Sequence, residues 1–399
     1  MKAGWQSKLL ADVLQKTETV NPQQSPEEEF DYIDVSSVSN STFQIEATQR
    51  LKGKDAPSRA RKVVRTNDVL FATIRPTLQR IAIVPECLDR QVCSTGYFVL
   101  RPKPEVDYRY LFYSLFTESF TGQIAALQKG ASYPAVTDGE VKGQVISFPP
   151  LPEQRRIIAI LDEAFDSIAT AKANAEKNLQ NARALFESHL QSVFTERGEG
   201  WVDHKKPLAD LCALIVDCEH KTAPTQEEGI PSIRTPNIGK GKLLLDGVYR
   251  VSEETYREWT RRAEPLPGDL ILAREAPAGN VAVIPDNTKV CLGQRTVLIR
   301  PNRTVFEPEF LSWLLLQPKM QQKLLAHSRG ATVQHVNMKD IRALHIEAIP
   351  PLSEQRRIVA NVGDASEQTQ RLESLYQKKL TALDALKKSL LHQAFSGKL

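Results

Sequence analysis

The nine residues PPLPEQRRI at positions 149–157 return as PPLSEQRRI at 350–358, a shift of 201. The match runs on without a gap, so that Ser188–Phe194 falls on Ser389–Phe395. Upstream, KGASYPAV (129–136) pairs with RGATVQHV (329–336). NDVLFATIRPTLQRIAIVP (67–85) pairs with GDLILAREAPAGNVAVIP (268–285), and VCSTGYFVLRP (92–102) with VCLGQRTVLIRP (290–301). Near the starts, FDYIDVSSV (30–38) resembles IPSIRTPNI (230–238). The chain is therefore one unit of about 200 residues written twice, far longer than a solenoid repeat. At 399 residues it exceeds one ordinary core. Two similar domains follow, able to relate by a pseudo-twofold, an arrangement suited to a two-part target or two identical partners.

The last part of each unit reads as one long helix. From Pro152 to Phe194 there is no glycine and no further proline. Apolar or small residues recur in alternating steps of three and four at Ile158, Leu161, Phe165, Ile168, Ala175, Leu179, Ala182, Phe186 and Val193, with Lys172 and His189 in the remaining steps. The second copy is weaker at Val359, Val362, Ser366 and Thr369, then firmer at Leu372, Tyr376, Leu380, Leu383, Leu390 and Ala394. Pro152 and Ser353 take equivalent first-turn positions, where proline is tolerated and serine caps. Each helix would be about 60–65 Å long at 1.5 Å per residue. A single apolar stripe of that length needs a partner, and the two copies can supply one another as an antiparallel coiled coil. The alternative is that each helix packs only on its own domain.

The first part of each unit reads as α/β. Strands are expected at Val69–Ala72, Ile81–Val84, Phe98–Leu100, Leu270–Ala273, Val281–Ile284 and Val297–Ile299, and amphipathic helices over Tyr108–Phe120 and Pro308–Leu325. The expected organisation is α/β (α+β) domains at 1–148 and 198–348, each followed by a long helix, at 149–197 and 349–399.

Several function classes drop out. No GxxxxGK[ST], no strand–GxGxxG–helix, no GxSxG and no histidine pair at i, i+4 occurs. The prolines before each helix lack the Asn or Asp of an adenine-binding turn of amino-methyltransferases. The five cysteines are odd in number and contain no CxxC, against a disulfide framework or zinc ribbon and in favour of a reducing cytoplasm. The start, MKAGWQSKLLADV, lacks a signal-peptide core, and no run approaches the 18 apolar residues of a membrane span. No catalytic residue and no metal site is expected.

What remains is polar loop chemistry, with a net charge of +4 that suits a nucleic-acid partner without requiring one. LKGKDAPSRARKVVR (51–65) carries six cations and one anion, so Lys52, Lys54, Arg59, Arg61 and Lys62 are phosphate-contact candidates; a solvated loop is the plainer alternative. TIRPTLQR (73–80) places Arg75, Gln79 and Arg80 in a turn between strands, and Arg and Gln suit guanine and adenine edges. The equivalent AREAPAGN (273–280) offers Arg274, Glu275 and Asn280. Gln294 and Arg295, the His220, Lys221 and Thr222 cluster, and the loops bearing Ser132, Tyr133, Thr332, Gln334 and His335 complete the set. Similar positions with different readout chemistry are what two domains reading different sequences would show.

The paired PPL[PS]EQRRI entries into long helices, the GA[ST] loops before them and the [ND]D[VL]…VLRP/LIRP blocks resemble the DNA specificity subunit of type I restriction–modification systems, over essentially the whole chain. That resemblance implies two target recognition domains held by an antiparallel coiled-coil spacer. Each domain would read one half of a split double-stranded DNA target, mainly through the major groove. It implies a non-catalytic subunit of a prokaryotic cytoplasm that holds no cofactor itself. Its partners would be two modification subunits, which use S-adenosylmethionine to methylate adenine N6, and restriction subunits, which add ATP- and Mg-dependent cleavage in phage defence. A coiled-coil scaffold that binds proteins without DNA readout is the competing reading.

Overall fold

A computed structural model describes residues 4–130, 133–198, 200–326 and 334–399. The chain divides into two compact units, Met1–Ala175 with Lys378–Leu399, and Glu176–Gln377. Both divisions fall inside the long helices, Leu151–Thr195 and Leu352–Phe395. Each unit thus holds one α/β domain and one stretch of each helix, rather than a domain with its own following helix.

The α/β domains share a plan. In the first, strands Ile81–Ile83, Val69–Ala72 and Tyr97–Leu100 lie side by side, all antiparallel. Val69, Phe71, Phe98 and Leu100 pack on the helical side, while Leu70, Ala72, Tyr97 and Val99 enter the opposite core. Side chains alternate across a strand, so a sheet covered on both faces makes both sets apolar. This is why VLFA and LILA are buried at every position. The second domain repeats the arrangement with Val281–Val283, Leu270–Ala273 and Thr296–Pro301, and adds Cys212–Asp217 beside the last of these. A second sheet in each domain carries one parallel pair: Glu29–Ile33 with Val92–Ser94, and Ile230–Ile233 with Cys291–Leu292.

Two motifs written twice in the sequence prove to be internal fastenings. Asp68, 1% exposed, accepts from Arg101 Nε and Nη2, both at 2.8 Å; Asp269 accepts from Arg300 Nε and Nη2 at 2.9 and 2.7 Å. The buried amide of Gln154 accepts from the Asp107 backbone N–H and donates to the carbonyls of Glu105 and Pro149. Gln355 repeats this with Glu307, Val305 and Pro350. The glutamine of PPLxEQ therefore pins each helix entry to its domain by satisfying backbone groups that burial would leave unpaired.

Both expected amphipathic helices are broken in two. The first runs Tyr108–Ser114 and resumes at Glu118–Leu127, where the Thr117 hydroxyl caps Phe120 N–H. The other runs Pro308–Leu316 and resumes at Pro318–Leu324, because Pro318 has no N–H to continue a helix and suits a first turn.

The two long helices pair antiparallel within each unit. In the first, Arg156 Nη2 donates to Leu399 O at 2.9 Å and Lys172 meets Asp384 at 2.7 Å. In the second, Arg183 meets Glu373 at 2.6 Å and His189 meets Asn361 at 2.8 Å. The expected seam is the covered face: Leu161 and Ile168 are buried, and Phe165, Leu179, Phe186, Tyr376, Leu380, Leu383 and Leu390 are half-buried. Leu372 is the exception, at 42% exposed. Strict steps of three and four from Thr369 to Tyr376 pass through Glu373, whose ion pair with Arg183 fills the position instead. No helix among the described residues is long and apolar enough to cross a membrane.

Candidate nucleic-acid interface

In the first domain the fold brings the 73–80 turn against the 129–136 loop. Arg75 N–H donates to Pro134 O at 2.7 Å, Val136 N–H to Thr73 O at 2.9 Å, and Ile74 bridges Ala135. The Arg75 guanidinium lies 4.9 Å from the centroid of the Tyr133 ring, which is 71% exposed. Such a stack presents a cation and a flat aromatic face together. Arg75 and Gln79 both have left-handed backbones, with φ of 47° and 51°. Thr73 N–H and hydroxyl both donate to Gly96 O, and Thr95 N–H donates to Arg59 O at 2.8 Å, so Arg59 borders the same cluster. Arg59 is exposed and forms no ion pair among the described residues. Ser132 lies outside the described residues.

The rest of the basic run is less available. Lys52 and Lys54 share the carboxylate of Glu27 at 3.0 and 3.3 Å. Lys62, 16% exposed, donates to Asp138 and to Tyr97 O, each at 2.6 Å. Arg61 donates to the adjacent Ala60 carbonyl and remains half-exposed. Arg80 donates to Ser36 O and Val38 O.

The second domain assembles the corresponding loops with other residues. Arg274 Nε donates to Val336 O at 3.0 Å, and its Nη2 meets His335 Nε2 at 3.0 Å. Guanidinium only donates, so Nε2 accepts and the ring proton sits on Nδ1, facing Glu275 at 3.4 Å. The other Glu275 oxygen receives Arg295 at 2.6 Å. Arg295 has φ of 65° and a side chain 62% exposed. Gln294 donates to His220 O, and His220 meets Asp217 at 3.0 Å. Lys221, Thr222 and Gln334 are exposed nearby in sequence; Thr332 lies outside the described residues. Asn280 stands apart from the cluster, donating to Ile238 O at 2.9 Å.

Sequence reasoning missed the support beneath His220. Arg262 binds Asp217 at 2.5 Å and Glu219 at 3.5 Å, bridging 45 positions. The only signal was the Arg261–Arg262 pair in an otherwise unremarkable turn. Burial pushes the thiols of Cys93, Cys212 and Cys291 up to about 12, so these three are not poised nucleophiles.

The two clusters occupy equivalent loops but present different groups. One offers arginine, glutamine and tyrosine, suited to purine edges and stacking. The other alternates guanidinium, carboxylate and imidazole, suited to mixed donor and acceptor edges.

Comparison with known proteins agrees with this plan. The family model for the type I restriction modification DNA specificity domain matches residues 2–180 and again 205–381. The specificity subunit of the type I restriction enzyme EcoBI of Escherichia coli is 22% identical over 338 residues, spanning 79% of this chain and 70% of that protein. That of HindI from Haemophilus influenzae is 29% identical over 243 residues, 57% and 52% of the two chains. The HsdS subunit from Thermoanaerobacter tengcongensis superposes with a TM-score of 0.65 at 29% identity, covering 100% of this chain and 98% of that one. A chain from a structure describing complex assembly and conformational transition of the type I R-M system gives 0.83 at 29% identity, covering 100% and 99%. A family model matched twice, once on each half of the repeat, makes this chain a member of the type I restriction–modification DNA specificity family, the component that supplies DNA sequence specificity.

Proposed function

We propose that each α/β domain reads one half of a split double-stranded DNA target, the first through Arg75, Gln79 and Tyr133, the second through Arg274, Glu275, Gln294 and Arg295. The observation that carries this reading is the pairing of like scaffolds with unlike loop clusters. Asp68–Arg101 and Asp269–Arg300 hold equivalent strands in place, while the loops between those strands differ in charge and hydrogen-bonding pattern. Arg59, Arg61 and Lys221 contact phosphates, which position a protein without reading sequence.

The chain acts in the cytoplasm of a prokaryotic cell as a non-catalytic subunit and holds no cofactor. Two modification subunits bring S-adenosylmethionine and methylate adenine N6. Restriction subunits, where present, bring ATP- and Mg-dependent cleavage. The test is a map of N6-methyladenine in DNA from cells expressing this chain with its modification subunit. The expected result is one split motif, lost when either domain is deleted. An active, bound modification subunit that leaves no methylated motif would instead favour a protein-binding scaffold.

A further inference from the structure

We propose that the loops at 38–45 and 238–243 are braces fixing each recognition cluster on its own unit's helices, with Phe43 and Arg80 as positioning residues for the first half-site. This rests on the split-target reading above.

In the first unit the contacts run unbroken from recognition turn to helix. Arg80 closes the turn that begins at Arg75, and its guanidinium is spent on Ser36 O and Val38 O, at the root of the loop. Tyr97 OH holds the same root through Asp34 O and Val35 O, at 3.2 and 3.1 Å. Val38 bridges Ile45 across the loop, and Phe43 lies at its far end with φ of 57°. An aromatic residue in the left-handed region is unfavourable and persists only where its contacts over-determine it. Those contacts are with the turn that separates Tyr108–Ser114 from Glu118–Leu127 and, through Lys387, with the long helices. The Phe43 ring meets Phe116 edge-on at 4.7 Å, and Lys387 Nζ lies 5.2 Å from the Phe43 centroid and 5.0 Å from that of Phe165. Burial, followed by the charge of Lys172, holds the Lys387 ammonium below its ordinary range, because withdrawal from water disfavours the charged form.

The second unit places the same loop in the same way with different residues. Asn280 stands where Arg80 stands, one residue before the next strand, and binds the carbonyl of Ile238, the counterpart of Val38. Ile238 bridges Leu243. The tip then reaches the helices by polar contacts: Lys242 Nζ to Gln370 Oε1 at 2.6 Å and Lys240 to Glu187 at 3.5 Å. Gly241, with φ of 84°, sits so close to Trp313 that an added Cβ would lie 3.1 Å from its ring. Two chemistries thus serve one placement, a sign that the placement is what matters.

A split target demands that each half-site be met at a set distance. Play in a domain on its helices becomes tolerance in that distance. A merely structural Phe43 would affect all targets alike. The experiment is methylation of a plasmid library whose spacer between half-sites varies by single base pairs, using the full chain with its modification subunits. Phe43→Ala is expected to raise methylation of spacers off by one base pair about tenfold relative to the wild-type spacer, the factor that about 1.4 kcal/mol of discrimination gives. The bases read in both half-sites stay the same, and Phe43→Tyr restores the single spacer. If Phe43→Ala yields no soluble complex, Lys387→Ala, at the other end of the contact, decides the matter by the same readout. Uniformly lower methylation with spacer preference intact would overturn the proposal while leaving the split-target reading standing. A wild-type complex with no split motif would remove both.

Discussion

The first recognition cluster is open and the second is knitted shut. Arg75 leans on an exposed tyrosine ring, whereas Arg274, Glu275, Arg295 and His335 bind one another through three side-chain contacts, and Arg274 also donates to Val336 O. Beneath both lie near-identical fastenings: a bidentate Asp–Arg pair and a buried glutamine clamp. Within one chain, then, the residues that hold backbone are written twice almost unchanged. Those that face outward from the same backbone have diverged. The second cluster must exchange internal ion pairs for DNA, while the first presents a guanidinium against an exposed aromatic face.

The fastenings should be the costliest to disturb. Arg101→Leu strands the carboxylate of Asp68, 1% exposed, and is expected to cost about 3 kcal/mol, since removing one partner leaves an uncompensated buried charge. Calorimetry should show the unfolding of the first unit several degrees lower with that of the second unmoved. Gln154→Ala leaves a backbone N–H and two carbonyls without their partner, and about 2 kcal/mol is expected. Gln355→Ala should match it in the second unit. A large inequality between the two would break the parallel drawn here.

Changes in the clusters should spare stability and act on one half-site at a time. Arg75→Ala is expected to relax one position of the first half-site by about 1–3 kcal/mol, the worth of a good base contact, and Glu275→Gln to alter the second half-site only. Methylation maps of the two variants check this. Smaller still, Arg59→Ala with Arg61→Ala should reduce the slope of log affinity against log salt by about 1.8, about 0.9 per phosphate contact. Lys52→Ala with Lys54→Ala should barely move it, because Glu27 already neutralises that pair in part.

Acid should act through carboxylates whose folded values are depressed. The Arg65 and Arg101 guanidiniums hold Glu18 low, the Lys323 and Lys319 ammoniums hold Glu347 low, and Lys129 with Thr137 draws Glu140 down to about 2. Each binds fewer protons folded than unfolded, so its stabilisation is complete above the ordinary carboxylate range and lost as pH falls through the folded value. The thermal midpoint is therefore expected to hold steady down to about pH 5 and decline from about pH 4.5 towards 2.

The repeat, the helix seam and the buried strands were legible because each rests on periodicity, which survives any local choice of residue. Leu372 misled because apolar character alone does not set phase; the helix keeps its steps of three and four and takes Glu373. The broken helices at Thr117 and Pro318 were written in capping and proline chemistry that the apolar pattern overrode. Arg80 and Asn280 were harder. A donor in a turn between strands can face DNA or a neighbouring carbonyl, and only the fold brings Val38 and Ile238 within reach.

The most direct test of the central claim, that two like scaffolds carry separate readouts, is to exchange residues 1–148 for the first recognition domain of another family member and map N6-methyladenine with the modification subunit present. The expected result is a new sequence in one half of the target and the original sequence in the other. A target changed in both halves, or unchanged in both, would contradict it.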